Sequence, residues 1–213
     1  SDILVLVTHG SRGRFTHNLQ QKLVLDLKKK FNVFNFNFPG EISKLTMEFE
    51  LDCIDEIIKY FFNKYSKIVL IGHSKSASEI LCLPNNVLDK LYKCILIAPR
   101  INLMNSQEMN IWDKNGNKEF IYPSKNVEQI ITKEYINSIF NCNRIIKKFN
   151  YINGKFLIVS GLEDKVMKSE NYFEFTKDKI NFELKEFENC DHLFSSEIER
   201  KIMIRFILNW ILK

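Results

Sequence analysis

Glycine and proline are scarce in this chain, with seven and four copies among 213 residues. No repeat and no low-complexity segment accompanies them, so a repeat architecture or a linker-rich chain is excluded. Any apolar run long enough to cross a bilayer is also absent, and the start, Ser1-Asp2-Ile3, shows no signal-peptide n-region or cleavage site. The five cysteines, Cys53, Cys82, Cys94, Cys142 and Cys190, are odd in number and form no C-x-x-C pair or metal-ligand spacing. A reduced, cytoplasmic protein without a bound metal is therefore expected. Charge of one sign does not dominate. The net charge of +5 is mild and spread along the chain. Lys28-Lys29-Lys30 sits on an amphipathic stretch, which reads as a solvated face. No basic stripe interleaved with aromatics appears, so no nucleic-acid groove is expected.

Phenylalanine, by contrast, is abundant, with 18 copies, and Asn, Lys and Ile are frequent too. That mixture reads as a nucleotide-composition bias of the source and not as function. With 45% hydrophobic residues the chain can enclose a sizeable core, and one domain over residues 1–213 is expected.

Short apolar runs alternate with longer amphipathic stretches. The runs Ile3–Val7, Val33–Phe38, Lys67–Gly72, Lys93–Ala98, Lys155–Ser160 and Ile180–Phe187 read as six strands. Leu19, Leu23 and Leu27 form one face of a helix over Thr16–Lys30. Leu51, Ile54, Ile57, Ile58 and Phe61 do the same over Thr46–Tyr65. Further helices are expected from Lys75 to Pro84, after Lys165, and over Ser195–Leu212. Strands separated by helices imply an α/β architecture: a parallel sheet of six strands with helices on both faces. Residues Arg100–Asn153 break the rhythm, with no buried strand expected. Asp113–Asn117 reads as a hairpin turn and Val127–Lys148 as a helix, so residues 100–153 look like an insertion.

In a parallel sheet ligands bind beyond the carboxyl ends of the strands. Four such loops carry reactive groups: His9-Gly10-Ser11-Arg12-Gly13, Gly72-His73-Ser74-Lys75-Ser76-Ala77, Gly161-Leu162-Glu163-Asp164-Lys165-Val166, and Asn189-Cys190-Asp191-His192-Leu193-Phe194. A sharp strand-to-helix turn needs small neighbours, which Gly72 supplies, while Ser76 stands where the G-x-S-x-G pattern has its second glycine. The turn lifts the Ser74 hydroxyl above the sheet and aims a helix amino end at it, a setting that favours an anion. A serine hydroxyl needs a base. His9 belongs to the first loop, His17 starts a helix and His73 is fixed inside the turn. His192, after the last strand, is the one free to reach Ser74. Asp164, ending the penultimate strand, is the carboxylate placed to orient that ring. Glu163 and Asp191 are rival acids, and Cys190 a rival nucleophile that sits in no such turn. The backbone N–H groups of Ser11 and Lys75 would converge on an oxyanion, each worth roughly 3–4 kcal/mol in the transition state. The Lys75 side chain reads as solvent-exposed.

These motifs resemble the α/β-hydrolase superfamily over nearly the full chain. His9-Gly10 resembles its oxyanion loop, Gly72–Ser76 its nucleophile elbow, Gly161-x-x-Asp164 its acid loop and Asp191-His192-x-Phe194 its histidine loop. The superfamily's usual amino-terminal antiparallel strands are absent, which makes this a pared-down version. Trp112-Asp113-x-x-Gly116 is similar to the small cap of single-domain esterases of the cinnamoyl-esterase and acyl-hydrolase type. The resemblance implies a three-layer α/β-hydrolase fold and a serine esterase that cleaves a carboxylic ester through an acyl-enzyme, with no metal or organic cofactor. It implies that residues 100–153 cap Ser74 and shape an acyl pocket from Leu103, Met104, Met109, Ile111, Trp112, Phe120 and Tyr122. A thioester would use the same machinery. The substrate is expected to be a small-molecule ester or acyl group. A carrier-protein-linked acyl methyl ester, with an acidic acyl carrier protein as partner, is a variant. A peptidase, or a non-catalytic ligand-binding protein on the same fold, is the alternative.

Overall fold

Strands that are apolar on both sides need cover on both faces, and this chain provides it by alternating strands with helices. The computed structural model describes residues 2–10, 18–38, 46–122, 129–151, 153–168 and 170–213. In chain order the first half holds β1 (Ile3–Val7), α1 (Asn18–Leu27), β2 (Asn32–Asn35), α2 (Met47–Phe62), β3 (Lys67–His73), α3 (Lys75–Ile80), α4 (Asn85–Leu88) and β4 (Lys93–Ile97). Then come α5 (Gln107–Lys114), β5 (Phe120–Tyr122), β6 (Gln129–Ile131), α6 (Lys133–Lys147), β7 (Phe156–Gly161), α7 (Tyr172–Thr176), β8 (Phe182–Phe187) and α8 (Glu197–Leu212).

Six strands form one sheet in the order β2-β1-β3-β4-β7-β8, and every pair in it is parallel. Side chains of a strand alternate between faces, and two separate cores result. Leu4, Leu6, Ile68, Leu70 and Leu96 point to one face, where Ile54, Ile58, Ala77, Ile80 and Ile139 of α2, α3 and α6 cover them. Val5, Val7, Val69, Ile71 and Ile97 point to the other, under Leu19, Leu23 and Leu27 of α1 and Met203 and Ile207 of α8. The register pairs His73 with Ile97, Ile97 with Val159 and Gly161 with Phe187, so the carboxyl ends of β3, β4, β7 and β8 meet at one rim of the sheet.

The segment between β4 and β7 departs most from expectation. Asp113–Asn117 is not a hairpin turn. It is the end of α5, closed by a Schellman pair in which Gly116 N–H bonds the Asp113 carbonyl (3.2 Å) and Asn117 N–H the Trp112 carbonyl (3.0 Å). Gly116 and Asn117 both have positive φ, the conformation that a hairpin turn and a helix stop share. Further on, β5 and β6 pair antiparallel, and they bury Tyr122 and Ile131 where no buried strand was expected. Helix α6 consequently starts at Lys133, with the Thr132 hydroxyl accepting from Tyr135 N–H at 3.2 Å as its cap. The helix expected after Lys165 is reduced to Tyr172–Thr176.

At the outer part of the sheet Phe156 is buried and stacks on Phe182, with ring centroids 4.7 Å apart and Phe149 edge-on at 5.4 Å. Phe156→Ala removes the centre of that stack. It is expected to lower stability by about 3–5 kcal/mol, seen as a lower urea midpoint with an unchanged denaturant slope.

Candidate active site

Ser74 joins β3 to α3 with φ 56° and ψ −119°, a region that residues with a Cβ rarely occupy. Its surroundings over-determine that conformation. Ser74 N–H bonds the Ile97 carbonyl of β4 at 2.8 Å, and its own carbonyl accepts from the Ser78 N–H at 3.2 Å and the Ser78 hydroxyl at 3.3 Å. A Cβ at position 72 would lie 2.7 Å from the Ala77 nitrogen, so the turn can close only on glycine there. At position 76 the turn has room for serine and uses it. Ser76 Oγ accepts from His73 N–H (3.1 Å) and from the Thr8 hydroxyl (2.9 Å), and donates to the His73 carbonyl (3.2 Å). The departure from the glycine pattern thus ties the elbow to the end of β1.

The two remaining groups arrive from the adjoining strand ends. His192 lies in the loop between β8 and α8, and Asp164 in the loop after β7. Ser74 Oγ is 3.0 Å from His192 Nε2, and His192 Nδ1 is 2.7 Å from Asp164 Oδ2. A carboxylate can only accept, so Nδ1 carries the hydrogen and Nε2 is left to accept from the serine hydroxyl. Asp164 Oδ1 is held in turn by the N–H groups of Val166 (2.8 Å) and Met167 (2.9 Å). Burial alone would raise the Asp164 carboxyl, but the His192 ring and those two N–H groups outweigh it and hold the group below its ordinary range. The arrangement can move a proton from hydroxyl to ring while a carboxylate supports the imidazolium.

The acid and histidine loops are pressed together. Glu163 N–H bonds the Cys190 carbonyl at 3.0 Å, and a Cβ at Gly161 would run into that same carbonyl. The rival acids are occupied elsewhere or turned away. Asp191 caps its own loop through Leu193 N–H (3.1 Å) and Ser195 N–H (2.9 Å), and Glu163 is exposed. Cys190 is buried, and burial raises its thiol to about 11.

Lys75 opens α3, so its N–H has no carbonyl within the helix to bond. Its partner in the expected oxyanion site, Ser11, lies outside the described residues, as does His17. Gly10, just before Ser11, packs against the elbow: a Cβ there would sit 3.1 Å from that of Ser74. His9 is buried beside it, edge-on to Phe38 at 5.2 Å, and burial lowers its imidazole.

The Lys75 side chain is not exposed, contrary to expectation. It is tucked beneath the elbow, 12% exposed, with Nζ 2.5 Å from Glu50 of α2 and 3.7 Å from Glu79 of α3. Burial opposes its charge, but the two carboxyl groups prevail and raise the ammonium's affinity for its proton. Burial also acts against a charge on Glu50, yet Lys75 keeps it ionised. Glu79 is pushed far up, first by burial and then by the Glu50 charge. Neither Glu50 nor Glu79 stood out in the sequence, because each belongs to a charged or polar stretch of an ordinary helix.

A cavity of about 160 Å³ borders Ser74 and Lys75. Leu103 and Tyr122 line it, together with Met47, Tyr135, Ile139 and Met167, whose roles were not legible. Met104, Met109 and Trp112, expected on its wall, are elsewhere. Met109 and Trp112 share one face of α5 and are buried in the core, and Met104 packs partly buried against that core. Tyr122 donates its hydroxyl hydrogen to Gln107. Among the described residues no cluster of His, Cys, Asp and Glu could hold a metal ion, and no helix is long and apolar enough to cross a membrane.

No family model and no curated protein sequence matches the chain. Its shape does find counterparts. Est1E from Butyrivibrio proteoclasticus superposes with a TM-score of 0.77 at 18% identity, over 99% of this chain and 88% of that one. A monoacylglycerol lipase from Paleococcus ferrophilus gives 0.75 at 20% identity, over 97% and 93%. The alpha/beta hydrolase domain-containing protein 10 from mouse gives 0.74 at 12%, over 98% and 89%. This chain has the α/β-hydrolase fold. In that α/β-hydrolase frame, Ser74, Asp164 and His192 stand together at the carboxyl rim of the sheet.

Gly161→Ala is expected to drive the acid and histidine loops apart. Circular dichroism should stay native, while the rate of reaction of Ser74 with an organophosphorus probe falls by about a hundredfold, the scale of an ångström-level misplacement. A second expectation concerns acid. Because the folded-state Asp164 titrates below its ordinary value of 3.8, it adds stability at higher pH that is lost as the pH falls through that value and below. Between pH 5 and about 2 the stability of Asp164→Asn should therefore fall less steeply than that of the parent protein; parallel curves from urea titrations would contradict this.

Proposed function

We propose that the chain is a serine hydrolase that cleaves a carboxylic ester through an acyl-enzyme. The observation that carries this reading is the Ser74–His192–Asp164 chain of hydrogen bonds, with its serine on a strained elbow. A resting serine hydroxyl has no need of that backbone conformation, whereas a nucleophile gains exposure above the sheet from it.

In this mechanism Ser74 Oγ attacks the ester carbonyl as His192 Nε2 takes its proton. The C–O double bond opens to an oxyanion, which accepts hydrogen bonds from the backbone N–H groups of Lys75 and Ser11. His192 then hands the proton to the departing alkoxide, and the alcohol leaves an acyl group on Ser74. Water repeats the sequence: it attacks the acyl carbonyl as His192 takes its proton, the acyl–oxygen bond to Ser74 breaks as His192 returns that proton to Ser74 Oγ, and the carboxylic acid is released. Asp164 fixes the ring tautomer and supports the imidazolium in both halves. The acyl group would occupy the cavity lined by Leu103, Tyr122, Tyr135 and Met167. The same steps cleave a thioester. The names of the structural neighbours, an esterase domain from Rhodothermus marinus and the Paleococcus ferrophilus monoacylglycerol lipase among them, agree with ester hydrolysis.

The protein should be labelled by a fluorophosphonate and should release p-nitrophenol from short p-nitrophenyl esters. Ser74→Ala should abolish the labelling and lower kcat by about 10⁴-fold or more. A parent protein that neither takes the label nor cleaves the esters would overturn the hydrolase reading. Labelling that persists in Ser74→Ala would remove Ser74 as nucleophile.

A further inference from the structure

We propose that His73, the residue before the nucleophile, is a positioning residue: its ring holds the backbone of His192 and thereby aims the base at Ser74. This rests on the hydrolase reading above. His73 ends β3 and is buried, and its Nε2 lies 2.9 Å from the His192 carbonyl oxygen. A carbonyl can only accept, so Nε2 carries the hydrogen and donates. In a neutral ring Nδ1 is then the acceptor, and it faces the side-chain amide nitrogen of Gln20 at 3.5 Å. Gln20 is buried on α1. The two imidazoles are close neighbours, with ring centroids 5.0 Å apart.

The loop that carries His192 needs such a hold. It runs from the end of β8 to the start of α8 and contains two non-glycine residues at positive φ, Asn189 and Phe194. Its far end is fixed by Arg200, whose guanidinium bonds the carbonyls of Phe194 (2.9 Å) and Ser195 (3.1 Å). Its near end is fixed by Glu163 N–H on the Cys190 carbonyl, 3.0 Å. The residue between, His192, has its carbonyl bonded by His73. Two adjacent residues of the elbow therefore grip one residue of the loop: His73 holds its main chain and Ser74 meets its ring. A slip of the loop along the rim would have to break the first bond before it could lengthen the second.

The test compares His73→Leu, which fills the space without a donor, with His73→Gln, whose amide nitrogen can reach the same carbonyl. The readouts are kcat and KM on a p-nitrophenyl ester, the fluorophosphonate labelling rate, and the melting temperature. His73→Leu is expected to lose about ten- to a hundredfold in kcat and in labelling rate with KM nearly unchanged, while His73→Gln recovers most of that loss. Full activity in His73→Leu would overturn the proposal, and so would equal losses in the two variants. If His73→Leu does not fold, His73→Asn decides. Its shorter amide stops short of the His192 carbonyl, so its kcat should fall with KM unchanged, and an unaltered kcat would overturn the proposal. A parent protein that fails to label refutes the hydrolase reading instead, so the two failures are distinguishable.

Discussion

The backbone of Ser74 is the constraint on which the rest of the site depends. A residue with a Cβ at φ 56° costs on the order of 1–3 kcal/mol, and it persists only where neighbours fix it from several sides. Here those sides are separate elements. Strand β4 takes the Ser74 N–H, α3 folds back onto its carbonyl, and the end of β1 reaches it through Thr8 and Ser76. The sheet register that aligns β1, β3 and β4 is thus also the register that keeps the serine poised.

The residues on either side of Ser74 extend this grip in opposite directions. His73 crosses toward the loop of His192, and Lys75 goes down into the layer formed by α2 and α6. Both use polar groups in the interior, where an unmatched polar atom costs more than a matched one gains. Such contacts fix geometry more sharply than apolar packing, because a hydrogen bond tolerates little change in distance or angle. Ser74, His192 and the floor of the neighbouring cavity are consequently parts of one connected assembly.

Much of this was legible from residue order. The central strands are continuous apolar runs because both faces of the sheet are covered, and such runs stand out against amphipathic helices. Ser74, Asp164 and His192 could be picked out because each follows a strand, and the ends of parallel strands share one rim. What stayed hidden depended on partners far apart in sequence. Nothing local to Lys75 says that Glu50 will meet it, so it read as a surface lysine. Gly116-Asn117 carried a true signal for positive φ, but that signal does not distinguish a helix stop from a hairpin. Met109 and Trp112 were expected on the pocket wall because they are apolar, yet apolar character does not tell which surface a residue meets, and both pack into the core. His73 was set aside as part of the turn, although its ring bonds the loop of His192.

The buried cluster of Glu50, Lys75 and Glu79 has a consequence for how this chain can diverge. Removing Glu50 or Lys75 leaves the other as a charge without its counterpart, at a cost of about 3–5 kcal/mol, whereas exchanging the pair for apolar residues of like volume is nearly neutral. Single substitutions at these two positions are therefore disfavoured while concerted ones are open. In descendants of this sequence the residue after Ser74 and a residue on α2 should be inherited as a linked pair, and an exchange between lineages that splits them should be selected against even though neither side chain touches Ser74 Oγ, His192 or Asp164.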